Sequence, residues 1–140
     1  MTPTPSPSIE QAAPLILVAE DNEDNRIIAT TMLRHSGYRV IEAETGSEAI
    51  RLAQSEHPAL ILMDVGMPDI DGWTAASALK QDDATREILI VAFTAHALPA
   101  DAEHALRVGC DGYIAKPIEP SRLVREIAEV LSKRTPRDVS

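Results

Sequence analysis

Three things are scarce in this sequence: cysteine, long apolar runs and positive charge. One cysteine, Cys110, stands among 140 residues. No internal disulfide can form, nothing near Cys110 has metal-ligand spacing, and it reads as a small core residue. The four histidines, His35, His57, His96 and His104, lack the close pairing of a helical zinc site and read as surface side chains. The longest apolar runs, such as Ala59-Leu60-Ile61-Leu62-Met63, are far too short to cross a bilayer, and no charged-then-apolar leader opens the chain. A soluble, cytoplasmic protein without membrane contact is expected. Lys and Arg number 13 against 22 Asp and Glu, for a formal charge of −9. That deficit argues against nucleic-acid binding, which draws most of its free energy from basic side chains on phosphates, and it suits a cation site.

What is present is a globular balance. With 44 % hydrophobic and 25 % charged residues, the chain supports one domain with a buried apolar core. The stretch 1–14, MTPTPSPSIEQAAP, is rich in Pro, Ser and Thr without a hydrophobic period and reads as a flexible tail. Residues 133–140 read the same way, which leaves 15–132 as the domain. Within it apolar runs alternate with helical patterns, the signature of βαβ units on a parallel sheet.

The first strand is Leu15 to Ala19, ended by Glu20-Asp21-Asn22, and a helix follows over about Glu23 to His35. Gly37 stops that helix and Tyr38 to Ile41 restarts a strand. Thr45 and Glu48 have capping-box spacing ahead of the apolar stripe Ala49, Ile50 and Ala53, which predicts the second helix. Ala59 to Met63 is a third strand, followed by Asp64, a turn-rich segment from Gly66 to Gly72, and a helix from about Trp73 to Lys80. Ile88 to Ala92 is the fourth strand, and Pro99 opens a helix to about Val108. Gly112 to Ala115 is the fifth strand. Pro120 opens a last helix bearing Leu123, Val124, Ile127, Val130 and Leu131. The lone Trp73 reads as packing.

In an open parallel sheet the binding crevice lies beyond the carboxyl ends of the strands. Strand one delivers Glu20 and Asp21 there, strand three Asp64, strand four Thr94 after Phe93, and strand five Lys116 before Pro117. Gathered carboxylates repel by ~4 kcal/mol per pair at about 4 Å and an effective dielectric near 20. A divalent cation offsets this, and an all-oxygen donor set selects Mg²⁺ or Mn²⁺ over zinc. Lys116 adds a second positive charge. Mg²⁺ usually keeps open positions for phosphate oxygens, so the site is expected to take a phosphoryl group. Asp64, after the most apolar strand and before a tight loop, is the expected nucleophile. Thr94 and Lys116 then bind the transferred oxygens, since in-line transfer needs mainly positioning and charge neutralisation.

These residues resemble the receiver domain of two-component response regulators over about Leu15 to Leu131. The resemblance rests on the acidic pair in VAEDN, on ILMDVGMPDIDG, on the Thr of AFTAHA and on the Lys-Pro of GYIAKP, in the family's order and spacing. It implies a flavodoxin-like (βα)5 fold, doubly wound, with five parallel strands in order 2-1-3-4-5. It implies that Asp64 is phosphorylated from a phosphohistidine on a sensor histidine kinase or histidine phosphotransfer protein, and that the domain catalyses its own Asp phosphorylation and dephosphorylation. Glu20, Asp21, Asp64 and the Gly66 carbonyl would arrange Mg²⁺. Thr94 and Tyr113 would shift on phosphorylation, altering the face of the fourth helix, fifth strand and fifth helix for a downstream protein. The segment EDNEDN with Arg26-Ile27-Ile28 looks like hybrid-kinase or free-standing receivers, with Asn25, Ile28 and Met32 as docking candidates beside a reading of Ile28 and Met32 as core. Gly66 and His96 occupy positions that tune dephosphorylation in such proteins.

Two other readings compete. Asp69-Ile70-Asp71-Gly72 superficially matches the two-aspartate loop of haloacid-dehalogenase-type phosphatases, but those nucleophiles directly follow an apolar strand and Asp69 does not. A receiver-like adaptor that needs no phosphorylation would be expected to have lost Asp64, Lys116 or the acidic pair. About nine residues follow Leu131, so a stand-alone receiver without an output domain is expected, monomeric or dimerising on phosphorylation.

Overall fold

The computed structural model describes residues 13–67, 69–94, 99–116 and 119–139. Its strands are β1 (Leu15–Ala19), β2 (Arg39–Ala43), β3 (Leu60–Asp64), β4 (Leu89–Thr94) and β5 (Gly112–Ala115). They alternate with α1 (Glu23–His35), α2 (Gly46–Glu56), α3 (Gly72–Gln81), α4 (Pro99–Val108) and α5 (Pro120–Val139). All strands pair in parallel in the order β2-β1-β3-β4-β5, as the family resemblance implied. The expected first tail lies outside the described residues except at its end, as do His96 and Pro117.

Successive side chains of a strand point to opposite faces, and the two faces here are covered separately. Leu17, Ala19, Ile61, Met63, Ile90 and Ala92 meet α2, α3 and α4 through Ala49, Ala53, Ala75, Ala76, Leu79 and Ala105. Ile16, Val18, Leu60, Leu62, Val91 and Phe93 meet α1 and α5 through Ala29, Leu33, Leu123 and Ile127. Small residues dominate the first helix layer, so α2 and α3 can approach the sheet closely. The helix starts follow the capping chemistry: Asn22 accepts from Asn25 N, Thr45 from Glu48 N and Asp71 from Thr74 N. Past the end of α1, Gly37 takes a φ of 99°, open to glycine at no steric cost.

Several boundaries differ from the sequence reading; the third strand, for one, runs Leu60–Asp64 rather than 59–63. The second strand spans Arg39–Ala43 rather than 38–41, because it follows the register of β1, in which Leu15 pairs with Arg39 and Ala19 with Ala43. The fourth strand gains Phe93 and Thr94, whose carbonyls accept from Val65 N and Lys116 N. The last helix continues past the expected end at 132 to Val139, and no glycine follows Leu131 to stop it.

A polar latch closes the sheet edge opposite the strand carboxyl ends. Lys80 Nζ donates to Ile88 O at 2.8 Å and Asp111 Oδ2 at 3.0 Å, while that carboxylate also accepts from Ile90 N at 2.9 Å. Replacing Asp111 by Ala strands the Ile90 N–H and leaves Lys80 with backbone carbonyls alone, so Asp111→Ala is expected to lower stability by about 1–3 kcal/mol. Urea unfolding checks this through a lower midpoint at unchanged slope. A midpoint equal to wild type would remove the latch from the account.

Candidate functional site

The register sets the strand ends level: Ala19 pairs with Met63 and with Ala43, Asp64 with Phe93, and Thr94 with Ala115. The residues immediately after or at these ends therefore converge at one rim. Glu20, Asp21 and Asp64 each offer a carboxylate oxygen within 4.8 Å of the others, the sole such acidic group among the described residues. Lys116 reaches the same point from β5, its Nζ 3.1 Å from Glu20 Oε1 and 3.2 Å from Asp64 Oδ1. The ammonium also stands over the Phe93 ring, 4.9 Å from its centroid.

The three carboxylates are not equivalent. Glu20 and Asp64 are buried, whereas Asp21 is exposed. Asp64 Oδ1 accepts from Gly66 N at 3.1 Å as well as from Lys116. Glu20 Oε2 accepts from Asn22 N at 3.0 Å, and its backbone is held by Ala43 O and by Arg26 Nη1 on its carbonyl. Glu20 Oε1 has only the charge contact with Lys116 and no aligned hydrogen bond among the described residues. Burial pushes the Glu20 carboxyl up to about 7; the Asn22 N–H opposes this, the neighbouring Asp64 adds to it, and Lys116 works against it. For Lys116, burial favours the neutral amine, but the charges of Asp64 and Glu20 outweigh it and the ammonium is held above its ordinary value. An inward-facing carboxylate oxygen without an aligned donor, beside two more carboxylates, is a donor set that fits a hard divalent cation.

Of the other sequence candidates, Thr94 is buried at the end of β4, beside the carboxylates by strand order. Tyr113 is half-buried on β5 and lines a hollow of about 220 Å³ with Ala105, Leu106, Cys110 and Gly112. On α1, Ile28 is exposed rather than core, Met32 and Asn25 are half-buried, and the sequence reading passed over the more exposed Ile27 as a docking candidate. Ala29 and Leu33 form the core stripe instead. Asp69 and Asp71 lie outside the acidic group: Asp71 caps α3 and Asp69 accepts from Ser47 N. The two-aspartate phosphatase reading has no site here. Cys110 is buried, and burial pushes its thiol up to about 11, which keeps it unreactive. Trp73 stacks on His104 at 4.6 Å between ring centroids. Sequence reasoning missed Asn22, Arg26 and Phe93 as supports of the site. Phe93 could have been found from its place between the fourth apolar run and Thr94.

A family model described as the response regulator receiver domain matches residues 16–128. The polar-differentiation response regulator DivK of Brucella ovis is 38 % identical over 116 residues, which span 83 % of this chain and 94 % of the relative. Among solved structures, the receiver domain of a sensor histidine kinase from Pseudomonas aeruginosa PAO1 is 36 % identical with a TM-score of 0.79, covering 86 % of this chain and 99 % of that one. That structure has a magnesium ion coordinated in its active site cleft. The chemotaxis response regulator CheY4 of Vibrio cholerae is 26 % identical with a TM-score of 0.81, covering 85 % and 99 %. Among the described residues no helix is long and apolar enough to cross a membrane.

Proposed function

This chain belongs to the response regulator receiver domain family, and from that premise we propose that Asp64 accepts a phosphoryl group from a phosphohistidine, with Mg²⁺ held by Glu20, Asp21, Asp64 and the Gly66 carbonyl. Mn²⁺ suits the same oxygens. The observation that carries this reading is the meeting of three carboxylates and one ammonium at the ends of β1, β3 and β5, with Lys116 Nζ 3.2 Å from Asp64 Oδ1.

In the reaction a carboxylate oxygen of Asp64 attacks phosphorus as the P–N bond breaks, and its electron pair returns to the imidazole, which is left neutral or takes a proton from solvent. Gly66 N–H and Lys116 orient the Asp64 carboxylate. Lys116 and the Thr94 hydroxyl then meet the phosphoryl oxygens, so the protein supplies positioning and charge rather than a strong base. A bound divalent cation supplies neutralisation of the gathered negative charge. Hydrolysis of the acyl phosphate at the same site resets the domain.

The new contact of Thr94 draws on β4, and Tyr113 has the 220 Å³ hollow beside it in which to change rotamer. Both bear on the face of α4, β5 and α5, which we assign to the downstream protein or to a phosphorylation-dependent dimer. We assign the exposed Ile27 and Ile28, with Asn25 and Met32, to docking of the histidine kinase or histidine phosphotransfer protein. The domain is taken to begin at Leu15 and to include all of α5, past the expected boundary at 132, with output through protein contact.

Incubation of the full chain with acetyl phosphate, followed by intact-mass analysis, tests the reading. One hydroxylamine-labile phosphoryl group is expected with Mg²⁺ and none without it. No adduct, with Mg²⁺ binding confirmed and no stable beryllofluoride complex, would overturn it.

Glu20 makes the cation's binding depend on pH. The cation takes only the carboxylate, so below about 7 it must displace the Glu20 proton. Mg²⁺ affinity is expected to rise with pH through about 7 and level off above it. Calorimetry in buffers of different ionisation enthalpy checks the proton release. In the metal-free protein the sign reverses: the folded state holds the proton to about 7, the unfolded chain only to 4.5. That contribution to stability is complete below 4.5 and is lost as the pH rises through about 7.

A further inference from the structure

The loop that follows Asp64 is pressed against the first turn of α2. Gly46 is buried there, and a Cβ built on it would lie 2.8 Å from Ile70 Cβ and closer still to the Ile70 carbonyl oxygen. The next residue, Ser47, donates its backbone N–H to Asp69 Oδ1 at 3.3 Å. This N–H is one of the first-turn donors that α2 cannot satisfy internally. Thr45 serves the Glu48 N–H, so Asp69 acts as a second cap supplied from another part of the chain. Asp69 does so in a left-handed conformation, φ 66°, which Asp and Asn tolerate better than most residues. The far end of the loop is closed by Gly72, whose N–H donates to Val65 O and whose missing Cβ makes room for the Asp64 and Val65 backbone. Gly66 lies between these anchors and is itself exposed.

We propose that Gly46, Ser47 and Asp69 form a clamp between α2 and the loop after Asp64, and that this clamp holds the Gly66 backbone in place for the divalent cation. Asp69 and Gly46 are positioning residues; neither touches the cation. The inference rests on the metal reading above and assigns the sequence's unused second acidic loop a role in it. Outer supports of metal ligands typically carry about 10- to 100-fold in metal affinity. The lower end applies to a clamp that acts on one backbone carbonyl.

The test is a calorimetric Mg²⁺ titration of the full chain as wild type, Asp69→Gly, Asp69→Asn and Gly46→Ala, with amide exchange at Ser47 and thermal unfolding without metal. Glycine removes the acceptor while leaving the positive φ free of strain. Asparagine keeps the acceptor oxygen and removes the charge. Asp69→Gly is expected to bind Mg²⁺ about 10-fold more weakly, with faster exchange at the Ser47 amide, and Asp69→Asn is expected to restore both. Gly46→Ala is expected to weaken Mg²⁺ at least as much where it folds, and the Asp69 pair decides the matter where it does not. Wild-type affinity in Asp69→Gly would overturn the clamp. Equal weakening in Asp69→Asn and Asp69→Gly would also overturn it, since Asp69 would then act by charge rather than placement. Absence of Mg²⁺ binding in the wild type would overturn the metal reading itself, and this inference with it.

Discussion

Asp64→Asn is expected to abolish phosphoryl acceptance, a loss of at least about 10³-fold, within the range that removal of a nucleophile produces. The carboxamide keeps the size and one acceptor oxygen, so the Gly66 and Lys116 contacts survive in part. What disappears is the anionic oxygen that attacks phosphorus. Folding should not suffer, because the substitution also removes a negative charge that pushes the buried Glu20 carboxyl upward. The expected record is therefore a variant with wild-type or higher thermal stability and no mass gain from acetyl phosphate. A hydroxylamine-labile adduct at the normal rate in Asp64→Asn would place the nucleophile elsewhere. Loss of the adduct together with collapse of the fold would leave the chemistry to be judged from Asp64→Glu, which keeps the charge but moves the oxygen outward by one methylene and is expected to be at least about 10²-fold slower.

Lys116→Met has the second largest effect, and its two consequences have opposite signs. Lys116 lies 3.1 and 3.2 Å from the Glu20 and Asp64 carboxylates, and in the proposed reaction it also meets the phosphoryl oxygens. Methionine preserves the stem over Phe93 and removes the charge. Phosphoryl transfer is expected to fall by about 10²-fold, comparable with the loss of one preorganised donor at a developing charge. Mg²⁺ affinity is expected to rise. A unit charge about 4 Å away at an effective dielectric near 20 is worth about 4 kcal/mol, so a tenfold tightening is a conservative expectation. Without Lys116 the Glu20 carboxyl moves further upward, so the titration belongs at a pH of about 8, where the proton competes least. Weaker Mg²⁺ binding in Lys116→Met would mean that the ammonium organises the carboxylates rather than competing with the cation for them.

Much of this site was legible before any coordinates. Runs such as Leu15 to Ala19 and Leu60 to Met63 are apolar throughout because both faces of a parallel sheet are covered, and the polar residue that ends each run is carried to the sheet rim. Glu20, Asp21, Asp64, Thr94 and Lys116 could thus be assembled on paper from their places at the strand ends. The α2 cap was legible for the same local reason, since Thr45 and Glu48 are three residues apart, although Glu48 returns its bond to Glu44 N rather than to the cap itself. Ile28 was not legible: helical spacing admits it to the core stripe, and the packing of α1 on the sheet gives that place to Ala29 and Leu33.

By itself, then, the sequence determined the alternation of strands and helices, their approximate bounds and the set of chemical groups delivered to one rim, because period, capping and turn preference act over a few neighbouring residues. Tertiary structure alone decided how those groups differ. It buried Glu20 and exposed Asp21, though they are adjacent in the chain. It brought Lys116 to Asp64 across 52 residues and Asp69 to Ser47 across 22. Those outcomes depend on sheet register and on how closely helices approach the sheet, which are set by the whole core at once and not by any local stretch of it.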